Sequence, residues 1–285
     1  MIPPNEEFTL LVFLFVSIAI TWIAYSRGYY RLPYAKAFEN SPYKRGQLRS
    51  MHVFIAFGLF FFAQLILLPF VEELWQVIVK ETANNKESFY MEFLGALLSF
   101  FLLGCYFLGL SPACRTQIIG PKIYCKTSQK FVDVLIGSAT WLIAYPWVLV
   151  VGQFLGIVLL FFNVEPSEQV AVQRVQQVIS DPKAMILTSF AVIMIIPVIE
   201  ELLFRGFLQT YLKGLLGVTK SIIITSIVFS LFHFSVSQGM NNLRIIGSLF
   251  VLSCYLGFIR ERQCSLLSSI ALHGTFNGVS ILMMI

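Results

Sequence analysis

Apolar residues along this chain come in long blocks, and polar residues collect in the gaps between them. Eight blocks are long enough for helices that cross a ~30 Å hydrocarbon core. They run at about Phe8–Tyr25, Met51–Phe70, Phe89–Leu110, Phe131–Phe162, Ala184–Leu212, Ser221–Val236, Ile245–Ile259 and Leu266–Met284. The fourth and fifth are overlong, which predicts tilting, a kink or a helix that continues into water. Lipid cannot satisfy backbone amides, and the alternation of a β-barrel is missing, so the fold class is all-α: a polytopic membrane helix bundle of about eight transmembrane helices.

Composition agrees with that pattern. Hydrophobic residues make up 57% of the 285 and charged residues 12%, with a mean hydropathy of +0.79. A water-soluble domain carries about a quarter charged residues. The net charge of +5 is a matter of topology. Arg27, Arg31, Lys36, Lys44, Arg45 and Arg49, then Arg115, Lys122, Lys126 and Lys130, then Lys213, Lys220, Arg260 and Arg262 fall on one side of an eight-span path. Lys80, Lys86, Arg174, Lys183 and Arg244 fall on the other, and Arg205 lies inside a span. This asymmetry predicts that the first side is cytoplasmic and both termini are outside. Cations in short loops at headgroup level give membrane lipids as partners and no reason to invoke nucleic acid. The first block lacks a basic n-region and a small-residue cleavage site, so it is expected to be a retained helix. Five cysteines (Cys105, Cys114, Cys125, Cys254, Cys264) form no CxxC pair, which argues against a disulfide framework or a cysteine-rich zinc site.

Intramembrane polar residues divide the chain. Residues 1–183, with the first four helices, contain few; residues 184–285, with the last four, contain nearly all. A charge at mid-bilayer costs a few kcal/mol and is rare without function or a partner. Span five holds Glu200, Glu201 and Arg205. Glu201 and Arg205 are an i, i+4 pair in the favoured order, so they are expected to neutralise one another. Glu200 is rotated about 100° away and needs something else to face. Pro197 lacks an N–H and is expected to kink the helix and leave a carbonyl free. Span six offers His233; span eight offers His273 and Asn277, one turn apart.

Depth tests whether these groups can meet. At 1.5 Å per residue, Glu200 is about 20 Å from Lys213, His233 about 20 Å from Lys220, and His273 and Asn277 about 16 and 22 Å from Arg262. All four occupy one layer. A polar network that only fixes helix register is the plain explanation for any one of them; six residues at matched depth point to chemistry. His52, near the inner end of span two, is expected to be structural. So is Pro69-Phe-Val-Glu72-Glu73-Leu, an echo of Pro197-Val-Ile-Glu200-Glu201-Leu that lies at a helix exit and has no following Arg.

These residues carry a resemblance. Glu200-Glu201-x-x-x-Arg205 resembles the EExxxR motif of the type II CAAX-processing endopeptidase and bacteriocin-processing family. Phe229-x-x-x-His233 is similar to its FxxxH motif and His273-x-x-x-Asn277 to its HxxxN motif; Leu256-Gly257-Phe-Ile-Arg260 resembles the stretch before the last. The likeness covers about residues 184–282. It implies an all-α intramembrane endopeptidase, with its catalytic site in the last four helices, acting on a protein or peptide substrate with or without a lipid.

The chemistry that residues and resemblance imply has Glu200 and His233 acting on water, His273 and Asn277 aiming donors at the oxyanion, and Glu201 with Arg205 as support. Glu200, His233 and His273 could instead hold zinc, although HExxH is absent; the metal-free route is the expectation. No GxSxG occurs, and Ser230 lacks an evident third partner. A proton-coupled transporter would need similar buried charges but is expected to show inverted repeats, which are not seen; a scaffold would tolerate broken motifs. A bacterial plasma membrane is the expected location, or the endoplasmic reticulum in a eukaryote, with the site open to the cytoplasm.

Overall fold

The computed structural model describes residues 4–32, 48–79, 85–120, 127–165, 167 and 169–285. Lys36, Lys44, Arg45, Lys80, Lys122 and Lys126, on which part of the predicted orientation rests, lie outside them, as does Cys125. Cys105, Cys114 and Cys254 are free thiols.

The described chain is helical with no strand. We number the helices α1 (Pro4–Ser26), α2 (50–79), α3 (Asn85–Gly109), α4 (Pro112–Ile119), α5 (Thr127–Phe161), α6 (Val170–Val178), α7 (182–216), α8 (Val218–Phe232), α9 (Asn242–Gln263) and α10 (Leu266–Leu282). The protein is a polytopic all-α membrane bundle. Among the described residues, six helices are long and apolar enough to cross a membrane: Phe8–Ser26, Ser50–Gln76, Phe89–Gly109, Gln129–Phe161, Pro182–Leu216 and Val236–Gln263. The other two expected spans, α8 and α10, have 15 and 17 residues and fall short. Both pack among longer helices, where backbone ends need not reach the headgroups on their own.

Helix starts follow local chemistry. Ser111 Oγ accepts from the Cys114 N–H before Pro112 at the head of α4, and Asp181 Oδ1 accepts from the N–H groups of Lys183 and Ala184 before Pro182 at the head of α7. His52 is structural in the same way: its Nδ1 accepts from the Arg49 N–H, 2.9 Å away, at the start of α2. Between α1 and the bundle, Arg262 Nε donates to Tyr29 O at 2.7 Å and the guanidinium lies over the Tyr29 ring. Burial there pushes the Tyr29 phenol up to about 12.

The overlong α7 is not regular. It passes through a π turn at Ala191–Ile195, a regular turn at Ile196–Glu201 and a second π segment at Leu202–Gln209. Such widened turns gather at functional sites and where proline interrupts the hydrogen-bond ladder. Around α7 stand α2, α3, α8, α9 and α10. A core of Phe204, Phe207, Phe229, Ile195, Ile199 and Leu203 fills one side, and α5 closes the other side of α9 and α10. Gly137 on α5 allows one close approach: a Cβ there would collide with the Ser268 carbonyl on α10.

Candidate active site

Pro197 begins the construction. Immediately before it, the Ile196 N–H bonds Ala191 O in the i to i−5 register of the π turn. The next bond of that register would join residue 197 to Val192 O, but proline has no N–H to give. Asn277 Nδ2 donates to Val192 O instead, at 2.8 Å. The neighbouring Ile193 O lies against Gly274, where a Cβ would be 2.7 Å away. The carbonyls around the proline-disrupted turn are thus met by α10, and this contact sets the height of His273 beside α7.

Glu201 and Arg205 are fully buried and paired at 2.9 Å, as the i, i+4 spacing predicts. The pair is not alone. Arg205 Nη2 donates to Ser253 Oγ at 2.7 Å and to Ser253 O at 3.3 Å on α9, and its guanidinium carbon lies 4.4 Å from the centroid of the Phe229 ring on α8. His273 Nδ1 is 2.9 Å from Glu201 Oε1, the oxygen that Arg205 also uses. A carboxylate oxygen facing both groups accepts from both, so His273 carries its proton on Nδ1. Three helices are therefore tied to α7 through one buried ion pair.

Glu200 points the other way, as its rotation requires. Its Oε1 is 3.8 Å from His233 Nε2 and its Oε2 is 3.7 Å from His273 Nε2. Both separations exceed a direct hydrogen bond. His233 Nδ1 lies 2.8 Å from Phe229 O, which can only accept, so this ring too is protonated on Nδ1. In their neutral forms both imidazoles present an Nε2 lone pair toward the same carboxylate. Side-chain exposure rises from 6% at His273 through 16% at Glu200 to 30% at His233, so the group opens at His233.

Of the four residues expected to share one layer, Glu200, His233 and His273 converge, and two of the four have partners that the sequence did not predict. Asn277 spends one amide hydrogen on Val192 O, and His273 is bound to Glu201 as well as facing Glu200. Among the described residues, no group of three or more His, Cys, Asp or Glu is arranged to hold a metal ion.

Sequence reasoning missed Ser253, for which nothing but its place on the span-seven helix gives a signal. It also left Leu256–Arg260 without a physical role. Gly257 O and Glu261 Oε1 accept from Gln209 Nε2 at 3.2 and 3.0 Å, and Glu261 Oε2 pairs with Lys213 at 2.9 Å. Arg260 bonds Glu261, Thr210 and the final carbonyls of α4 at Gln117 and Ile118. This second buried cluster locks the C-terminal end of α7 to α9 and α4.

Comparison with known proteins matches the same part of the chain. Residues 182–279 match the family model of type II CAAX prenyl endopeptidase Rce1-like proteins, a segment that begins at α7 and contains all six polar residues. No curated protein and no solved structure matches the chain.

Proposed function

We propose, from the premise that residues 182–279 place this chain in the type II CAAX prenyl endopeptidase Rce1-like family, that it cleaves peptide bonds with a water activated by Glu200 and His233. Membership implies a CAAX-type intramembrane protease, a hydrolase acting on protein substrates at the membrane, and the six long apolar helices make it an integral multi-pass protein. The finer reading rests on one observation: both Nε2 atoms face opposite oxygens of one partly exposed carboxylate at 3.7–3.8 Å, while both Nδ1 atoms are occupied.

Such a gap is one in which a water bridges polar groups. The water gives one hydrogen bond to Glu200 and one to the His233 Nε2 lone pair. As its oxygen attacks the carbonyl carbon, Glu200 takes the proton and passes it to the leaving amine. His273, when its Nε2 carries a proton, and the second amide hydrogen of Asn277 stabilise the oxyanion. Glu201 is the counter-charge that holds the His273 ring.

Cleavage of a reporter peptide by full-length protein in lipid tests the assignment. Glu200→Ala and His233→Ala are each expected to lower turnover by roughly 10²–10⁴-fold, the usual contribution of a positioned acid or base. Retained cleavage by either folded variant would refute it. The metal-free route is tested separately: stoichiometric zinc in the purified protein, together with loss of activity in chelator, would transfer Glu200, His233 and His273 to a zinc mechanism. Comparing protein C-termini in cells with and without the protein identifies the substrate.

A further inference from the structure

Helix α8 stops at His233, and that stop is what orients the ring. His233 has φ −93° and ψ 8°; its N–H bonds Ser230 O at 3.2 Å, and the Phe234 N–H bonds Leu231 O at 3.0 Å. The last turn is tightened to i−3 bonds, as helix ends commonly are. The His233 N–H therefore does not bond Phe229 O, its α-helical partner, and that carbonyl accepts from His233 Nδ1 instead. Had the helix run on, Phe229 O would be engaged by backbone, and nothing would hold the proton on Nδ1.

Beyond His233 the α-helix gives way to an extended residue and a short 3-10 helix at Val236–Asn241, and the backbone groups freed at this break need other partners. Ser235 is extended, and Gly239 has φ +49°, a conformation suited to glycine. One side chain brackets this segment. Asn242, the first residue of α9 and 4% exposed, accepts from the Ser235 N–H at 3.0 Å. Its Nδ2 donates to Ser235 O at 2.7 Å and to Gly239 O at 2.9 Å. Both amide hydrogens and the amide oxygen are spent on one bend two residues past His233.

We infer that Asn242 is a positioning residue for His233: by fixing the bend it ends α8, frees Phe229 O and sets the tautomer that turns the Nε2 lone pair toward Glu200. Its consequence for turnover rests on the function proposed above; its consequence for the tautomer does not.

The experiment is ¹⁵N NMR of full-length protein labelled at histidine, in lipid nanodiscs, with cleavage measured in parallel. The chain has only three histidines, so His52 and His273 report whether a variant is folded. Wild-type His233 is expected to be protonated on Nδ1 and bare on Nε2; the opposite tautomer overturns the inference without any variant. Asn242→Ala is expected to shift part of the His233 population to the Nε2-protonated form and to lower kcat roughly tenfold to hundredfold, as for a misplaced catalytic group, with KM within about twofold. Asn242→Ser, which keeps one donor and one acceptor, is expected to fall between and serves if the alanine variant does not fold. An unchanged tautomer in a folded variant overturns the inference. A changed tautomer with unchanged kcat supports the positioning and instead sinks the role given to His233 on water.

Discussion

The sequence Pro-x-x-Glu-Glu-Leu occurs twice, at residues 69–74 and 197–202, and both copies distort their helix in the same way. A π turn at Ala63–Leu67 precedes Pro69, and one at Ala191–Ile195 precedes Pro197, with Leu68 N bonding Ala63 O as Ile196 N bonds Ala191 O. Their surroundings differ. Around the second copy, Glu201 is buried against Arg205 and His273, and Glu200 faces two imidazoles. In the first, Glu72 is half-buried and Glu73 exposed. The local pattern therefore makes a bent helix and no more. The site is made by what packs on the bend: α10 with Gly274 and Asn277 on the carbonyls, α8 with His233, α9 with Ser253.

The largest effect expected from this contrast is in catalysis. Glu200→Ala should remove cleavage, whereas Glu72→Ala and Glu73→Ala should leave kcat/KM within about twofold, since surface changes away from special features are nearly neutral. A peptide-cleavage assay on the three proteins decides it; a strong loss in either first-copy variant would break the comparison.

Next in size is stability. Arg205→Met strips a fully buried Glu201 of its strongest partner, a change that costs about 3–5 kcal/mol when one member of a buried ion pair is removed. The folded fraction after detergent extraction and the unfolding midpoint should both drop, and Glu201→Leu in the same chain should restore part of the loss, because a neutral pair of similar volume leaves no stranded charge. Restored folding without restored cleavage would separate support from chemistry. Glu73→Leu, at the exposed first copy, should leave the midpoint unchanged.

How much of this could be read from the sequence follows the physics of each signal. Apolar block length gave the class and the six long spans, but length alone could not say that α8 and α10 are short helices sheltered by neighbours. Rise per residue put Glu200, His233 and His273 at one depth, and spacing paired Glu201 with Arg205, because both are properties of a single helix. Partners chosen across helices were out of reach. That His273 shares Glu201 Oε1 with Arg205, or that Ser253 receives the other side of the guanidinium, depends on helix rotation and close approach. Pro197 was legible as the source of a free carbonyl. Its acceptor, Val192 O, was not, because the π register moves the orphan one residue back.

The smallest effect tests that carbonyl. Asn277→Ala leaves Val192 O without its side-chain donor, and an unsatisfied buried acceptor costs about 1–3 kcal/mol. Pro197→Ala restores an N–H where the π register can use it, so Asn277→Ala should be less destabilising in that background. A double-mutant cycle on the unfolding midpoint should give a coupling of about 0.5–1.5 kcal/mol, the worth of one such bond. Zero coupling would mean that Asn277 does not replace the bond that proline removed. Turnover in the double variant then separates the two roles of this side chain. If the amide acts only by docking α10, Pro197→Ala should rescue cleavage along with stability; if it also serves the oxyanion, stability should recover while kcat stays low.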